Sequence, residues 1–100
     1  MSKITESARG EECQVRIIGV CNHDSETVVL AHPNQYGAGK GRGLKALDAL
    51  GAYCCYACHM VLDGQALRPE GMRKSDVDLA FHEGHQRTFV KLVEKGLVKF

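Results

Sequence analysis

Two short segments near the N-terminal end of the chain carry the hydrophobic pattern of β-structure. Residues 14–17 alternate polar and apolar side chains, as a half-buried strand does, and residues 18–20 turn the chain back toward Cys21. This pattern predicts a small hairpin or knuckle between two cysteines. After turn-forming residues, residues 27–30 are β-branched and apolar, which predicts a second strand that leads directly to His32.

The C-terminal half has the pattern of two helices. Residues 58–63 have helical propensity and end at Gly64, which predicts a short helix. A longer helix is predicted from about residue 76 to residue 95, with Ser75 as its N-cap and a glycine as its stop. An apolar stripe at helical spacing predicts that one face packs in the core, and it consists of Val77, Phe81, Thr88, Phe89 and Leu92.

The remaining segments have weaker patterns. Residues 1–12 are polar and charged and predict an N-terminal tail, so the single domain is expected to comprise residues 13–100. Residues 33–45 hold four glycines and three cations without an acid, which predicts a basic loop. Residues 46–53 fit either a short helix or an extended segment, and the pattern does not decide between them. The chain contains no internal repeat.

Charge and hydropathy exclude some classes of protein. Thirteen Lys and Arg residues balance twelve Asp and Glu residues, so the net charge of +1 does not by itself indicate a polyanionic partner. No apolar run approaches the roughly 20 residues that span a bilayer, and the N-terminus lacks the apolar core of a signal peptide. We therefore expect a cytoplasmic protein that makes no contact with membranes.

The five cysteines predict a metal site rather than disulfides, because thiols stay reduced in the cytoplasm. Cys13 and Cys21 form one pair, Cys55 and Cys58 form the other, and four thiolates suit a tetrahedral zinc ion. Cys-x-x-Cys also occurs in thiol redox proteins, but the upstream pair favours zinc. Seven residues separate Cys13 from Cys21, more than is usual, so a hairpin must bring the sulfurs together. Cys54 is expected to be a small buried side chain.

Two histidines remain available for chemistry. A strand that ends in His32, a long loop, and a helix that carries His59 directly after Cys-x-x-Cys make the layout of a ββα-metal finger. In that layout one histidine activates water, and a helix residue holds a divalent metal against a phosphodiester. Histidine suits the base because its ordinary pKa of about 6.5 lies near neutral pH.

These residues resemble a known family, the small phage and prophage nucleases typified by YbcO, which belong to the HNH or His-Me finger group. The resemblance covers most of the chain and is most specific in its N-terminal third. It lies in Arg9-Gly10, Glu12-Cys13-Gln14-Val15-Arg16-Ile17, Gly19-Val20-Cys21-Asn22, Glu26-Thr27, Val29-Leu30-Ala31-His32, Asp48, Cys55, Ala57-Cys58-His59, Asp63, Arg87-Thr88 and Gly96-Leu97.

The resemblance implies a small α+β, ββα-metal domain with a zinc knuckle and a C-terminal helix, and a DNA endonuclease activity. By the family pattern, His32 matches the general base and His59 a ligand of a catalytic Mg²⁺ or Mn²⁺. Ala31 stands where the wider HNH group usually has an acidic ligand. Asp48 and Asp63 are the candidate replacements, and we favour Asp63 because it follows His59 by four residues on one helix face.

Other polar residues have weaker claims to function. Lys40, Arg42 and Lys45 lie among glycines between the two histidines, where they can follow a DNA backbone. His82 and His85 are spaced for a second metal site, but packing is the simpler interpretation of His85. A second basic group could also contact a DNA backbone, but a solvated connection is the simpler interpretation, and the group consists of Arg68, Arg73 and Lys74.

The sequence also allows two other functions. A catalytically inactive zinc module that binds DNA or a phage protein is consistent with Ala31, which removes an expected metal ligand. A thiol redox protein is disfavoured by the paired upstream cysteines.

Overall fold

The computed structural model describes residues 3–32 and 48–98, which form a small α+β domain. Within these ranges the elements are α1 (Lys3–Ser7), β1 (Val29–Ala31), β2 (Ala52–Cys54), α2 (Tyr56–Leu62) and α3 (Lys74–Glu94), with 3-10 turns at Ser25–Thr27 and Asp48–Leu50. The strands are antiparallel, with Val29 opposite Cys54 and Ala31 opposite Ala52. Helix α2 follows β2 after one residue, and the long helix α3 packs across β2.

Thr88 connects α3 to the sheet inside the core. Its buried hydroxyl accepts a hydrogen bond from the backbone N–H of Tyr53 at 2.9 Å and donates one to the carbonyl of Gly84 at 2.7 Å. The carbonyl of Tyr53 accepts from the N–H of Gln14 at 2.8 Å. Helix α3 and the segment after Cys13 therefore provide hydrogen-bond partners for the N–H and the carbonyl of Tyr53, on the edge of β2 that faces away from β1.

Replacing Thr88 by valine is expected to destabilise the domain, because the change keeps the shape of the side chain but leaves the buried N–H of Tyr53 without a partner. The expected loss in the free energy of unfolding is about 1–3 kcal/mol, measured by urea denaturation of the zinc-loaded protein. Thr88→Ser keeps the hydroxyl and serves as the matched control. A Thr88→Val protein as stable as wild type would contradict this role of the hydroxyl.

Gly84 brings α3 against the segment that carries Cys13. A Cβ atom at Gly84 would lie 2.8 Å from Cα of Val15, a distance that backbone atoms cannot accommodate without moving. Three residues further along α3, the guanidinium of Arg87 donates to the carbonyl of Gln14. Helix α3 thus fixes the backbone between the first two cysteines.

The predicted strand at residues 14–17 is wrong, because this segment bends instead of extending. Arg16 has a φ of 53°, in the left-handed region, and its N–H points at the sulfur of Cys13 at 3.5 Å. Gln14, Val15 and Ile17 are all buried, so the segment has no exposed face of alternating side chains. The alternative of a knuckle describes it correctly.

The predicted helix ends also need correction. Helix α2 begins at Tyr56 rather than at residue 58, because the sulfur of Cys55 accepts from the N–H of Cys58 at 3.5 Å and acts as the N-cap. Helix α3 begins at Lys74, so Ser75 lies inside its first turn. The carboxylate of Asp76 accepts from the N–H of Arg73 at 2.9 Å and fixes the start of this helix.

The N-terminal segment predicted as a tail packs on the domain from residue 3 onward. Helix α1 ends near Ala8, which is buried, and the hydroxyl of Ser7 shares a 2.7 Å hydrogen bond with the buried phenol of Tyr53. Glu11 pairs with Lys95 at 2.7 Å, beyond the end of α3. The polar residues of this segment hold it to the fold by specific partners, which hydropathy does not reveal. Within the segment that the sequence left undecided, the described residues 48–53 form the second 3-10 turn and most of β2.

Candidate metal centre

Four cysteine sulfurs converge at one point of the structure. The sulfurs of Cys13, Cys21, Cys55 and Cys58 all lie within 4.8 Å of one another. Cys13 and Cys21 bracket the knuckle, Cys55 is the cap of α2, and Cys58 lies in the first turn of that helix. The structure thus brings together all four residues that the sequence predicted as one metal site.

The donor set and its spacing fit a tetrahedral zinc ion. With a Zn–S distance of about 2.3 Å, two sulfurs of a tetrahedral site lie about 3.8 Å apart. The sulfurs of Cys21 and Cys55 are 3.9 Å apart. All five cysteines are free thiols, so no disulfide competes for these positions. Three of the four ligands are buried and Cys21 is half-buried, as in a closed structural site.

The thiols of the cluster influence one another strongly. Hydrogen bonds from the thiols of Cys54 and Cys58 hold the pKa of Cys13 far below its usual range. The same interaction with Cys13 raises the pKa of Cys58, and burial raises the pKa of Cys21 to about 11. These interactions favour a negative charge on Cys13 over one on Cys21 or Cys58.

Two residues outside the predicted ligand set also contact the cluster. Cys54 is fully buried, and its hydrogen bonds with Cys13 and Cys58 raise its own pKa far above the usual range. It is a buried thiol, as expected, but it packs against the ligands rather than only against apolar groups. His23 was not predicted, and its Nδ1 lies 3.7 Å from the sulfur of Cys21. The spacing Cys-x-His is the sequence signal that points to it.

His59 and Asp63 form a second polar pair on helix α2. Nε2 of His59 lies 3.3 Å from a carboxylate oxygen of Asp63, and both side chains are about one third exposed. Two ligand atoms on one octahedral Mg²⁺ ion, each about 2.1 Å from it, lie about 3 Å apart. The nitrogen and oxygen donors of this pair are therefore close enough to bind one divalent ion.

The other predicted site residues occupy different positions. His32 follows the last residue of β1 and is half-buried. Asp48 begins the second 3-10 turn, and its side chain lies outside the described part of the structure. Lys40, Arg42 and Lys45 lie outside the described residues.

Comparison with known proteins decides the family. The family described as "Putative nuclease YbcO" matches residues 2–97. The chain is 38% identical over 99 residues to the protein "Putative nuclease YbcO" of Escherichia coli (strain K12), and the match covers 99% of both chains. A protein of the same description from Enterobacteria phage 82 matches with the same identity and coverage. The chain belongs to the YbcO family.

A solved structure supports the fold of this YbcO-family protein. It is described as "Structure of a putative bacteriophage protein from Escherichia coli str. K-12 substr. MG1655", and it matches with a TM-score of 0.74 at 34% identity. The match covers 92% of this chain and 98% of that one. Within residues 3–32 and 48–98, no helix of the YbcO-family protein is long and apolar enough to cross a membrane.

The two histidines of α3 have different surroundings in the YbcO-family protein. His82 is exposed, whereas His85 is half-buried, as predicted. Nδ1 of His85 donates to the carbonyl of Gly51 at 3.0 Å, and its ring meets the edge of Phe89 at 6.0 Å. Arg68, Arg73 and Lys74 are exposed in and after the connection between α2 and α3, which agrees with a solvated segment.

The affinity for zinc is expected to fall steeply as the pH is lowered. Binding requires thiolates, and the raised pKa values of Cys21 and Cys58 mean that at least these two protons must leave. The apparent affinity should therefore drop by at least about 100-fold for each pH unit below pH 8. Competition with a chromophoric chelator at several pH values measures this slope, and an affinity independent of pH would contradict a thiolate site.

Proposed function

We propose that this protein is a metal-dependent endonuclease that hydrolyses phosphodiester bonds of DNA, with a structural zinc ion on its four clustered cysteines. Membership of a nuclease family supports the reaction class. The observation that carries the proposal is the order of elements around the two histidines. A strand leads into His32, its antiparallel partner leads into α2, and α2 presents the His59 and Asp63 pair.

His32 is the proposed general base. It takes a proton from the attacking water and becomes an imidazolium, after which the proton passes to solvent. The pairing of Ala31 with Ala52 fixes the strand end from which His32 extends. Because β1 is paired with β2, and β2 is bonded in turn to Thr88 and Gln14, the base is attached to the end of a paired strand.

His59 and Asp63 are the proposed ligands of a catalytic Mg²⁺ or Mn²⁺ ion. When bound, such an ion neutralises charge on the phosphate and on the leaving oxygen. Helix α2 holds both donors one turn apart on the same face, and the N-cap at Cys55 ties this helix to the cysteine cluster. Asp63 thereby supplies the carboxylate that is absent at Ala31, which makes it the preferred replacement over Asp48.

The partner is DNA in this proposal, and contacts to its backbone are assigned to Lys40, Arg42 and Lys45. These cations lie between the base and the metal ligands in the sequence, so they can approach a phosphate bound at the site. Arg68 follows α2 by six residues and is exposed, which makes it a further candidate for a phosphate contact.

A cleavage assay with defined DNA substrates tests the proposed function. Zinc-loaded protein is incubated with linear, single-stranded and branched DNA at several Mg²⁺ and Mn²⁺ concentrations, and cleavage is expected only with added divalent ion. Asp63→Asn is expected to lower the rate, whereas Asp78→Asn on α3 serves as the matched control. A protein that binds zinc and DNA but cleaves none of these substrates would replace the proposal with the inactive binding module.

A further inference from the structure

One of the four clustered cysteines is less protected than the other three. Cys13, Cys55 and Cys58 are buried, whereas Cys21 is half-buried. The thiolate of a cysteine is both its metal ligand and its nucleophile, so the exposure of each sulfur determines how readily a competing ligand or an electrophile reaches it. Of the four converging sulfurs, that of Cys21 is therefore the most accessible.

His23 contacts this accessible sulfur through its side chain and its backbone. Nδ1 of its exposed ring lies 3.7 Å from the sulfur of Cys21. A zinc-bound sulfur is a thiolate, which can only accept, so the N–H at Nδ1 donates to it. Burial raises the pKa of Cys21, and a hydrogen bond from the backbone N–H of His23 opposes that rise. Among the described residues, the donor atoms within 4.8 Å of one another are the four sulfurs, so Nδ1 is placed to bond to a ligand rather than to the ion.

The backbone at His23 has an uncommon conformation that the neighbouring residues maintain. Its φ is 56°, in the left-handed region that few residues other than glycine adopt. The side chain of Asn22 accepts from the N–H of Asp24 at 2.9 Å, and the carboxylate of Asp24 accepts from the N–H of Glu26 at 3.0 Å. Strained backbone that its surroundings hold in place is concentrated at functional sites. Here the strained residue is the one whose ring bonds to Cys21.

We propose that Cys21 is the ligand at which the zinc site opens, and that His23 is a positioning residue that opposes this opening. Its N–H stabilises the negative charge of the thiolate and holds the sulfur in the ligand position, which makes the sulfur a weaker nucleophile. Outer partners of metal ligands typically contribute about 10–100-fold to metal affinity. The inference rests on the zinc ion of the proposed function, but it does not involve the nuclease reaction.

Competition between the full chain and a chromophoric chelator for zinc tests the role of His23. His23→Gly removes the ring and its donor, but it accepts a positive φ without strain, so the fold should be kept. This variant is expected to bind zinc about 10–100-fold more weakly and to release it correspondingly faster. His23→Asn is the conservative variant, because asparagine tolerates the left-handed region and its amide nitrogen lies as many bonds from the backbone as Nδ1. It should bind zinc nearly as tightly as wild type.

Asp24→Ala is the matched control for the turn that contains His23. The carboxylate of Asp24 caps the 3-10 turn at Ser25–Thr27, and its loss loosens this turn while leaving the ring of His23 in the chain. We expect Asp24→Ala to keep the wild-type affinity for zinc. An equal loss of affinity in Asp24→Ala and His23→Gly would assign the effect to the turn and overturn the role of the ring.

Alkylation of the zinc-loaded protein by iodoacetamide identifies the ligand at which the site opens. The thiolate sulfur forms a bond to carbon as iodide leaves, and mass spectrometry of peptides locates the modified cysteine. Cys21 is expected to react first in wild type, and about tenfold faster in His23→Gly. First reaction at a buried ligand, or unchanged zinc affinity and reactivity in His23→Gly, would overturn this inference alone. A wild-type protein that binds no zinc would overturn the proposed zinc site as well, so the two failures are distinguishable.

Discussion

Replacement of His32 by alanine is expected to lower the rate of DNA cleavage by about 10²–10⁴-fold, the usual contribution of a general base. The fold and the affinity for DNA should change little, because His32 is half-buried at a strand end and contributes no apolar core. The rate is measured under single-turnover conditions with saturating protein. His82→Ala is the matched control, because His82 is exposed on α3 and has no proposed role.

His59→Ala should also lose DNA cleavage, but its response to added metal should differ from that of His32→Ala. Loss of one metal ligand weakens metal binding, so higher Mn²⁺ concentrations should restore part of the activity, and Asp63→Ala should behave likewise. Added metal cannot replace a missing base, so His32→Ala should not recover. Cleavage by His32→Ala at the wild-type rate, with contaminating nucleases excluded, would remove the proposed mechanism.

Removal of zinc is expected to unfold the domain. The four sulfurs join the knuckle to α2, two parts of the chain that are distant in sequence. Structural zinc sites contribute about 10–16 kcal/mol of apparent binding free energy, which equals or exceeds the total stability of about 5–15 kcal/mol that is typical of a domain. Far-ultraviolet circular dichroism during titration with a strong chelator should show loss of helix together with release of zinc.

Single cysteine variants identify the ligands. Cys13→Ser should lose zinc and fold poorly, whereas Cys54→Ser should keep one zinc per chain, because Cys54 contacts two ligands but is not one of the four converging sulfurs. Metal content by mass spectrometry distinguishes these outcomes. The reverse result, or a well-folded metal-free protein, would contradict the ligand assignment.

The sequence predicted the features that depend on residue type and short spacing. Cys-x-x-Cys followed by His59 indicated both the cluster and the helix, and the β-branched run before His32 indicated β1. The sequence did not predict the backbone conformation where contacts with residues distant in the chain determine it. The left-handed Arg16 points its N–H at the sulfur of Cys13, and the adjacent Val15 packs against Gly84 of α3. The N-terminal segment is held by the contacts of Ser7 with Tyr53 and of Glu11 with Lys95. Such partners have no signature in local hydropathy.

The start of α2 shows a second reason why a feature could not be predicted from the sequence. Cysteine is not among the usual N-cap residues, so the cap at Cys55 was not expected. In this fold the same sulfur caps a helix and lies in the metal cluster, and the second role fixes its position. The pairing of Asp63 with His59 was predictable, because a helix alone brings residues four apart together.

The pairing of Ala31 with Ala52 makes the chain between them a closed loop, whose ends the sheet holds together. Loop-closure entropy grows slowly with length, so doubling such a loop costs only about 0.6 kcal/mol. Variation in the length of this connection is therefore inexpensive for stability. In this architecture residues can be added or removed between positions 31 and 52 at little cost, while the cysteine cluster and the strand pair keep their geometry.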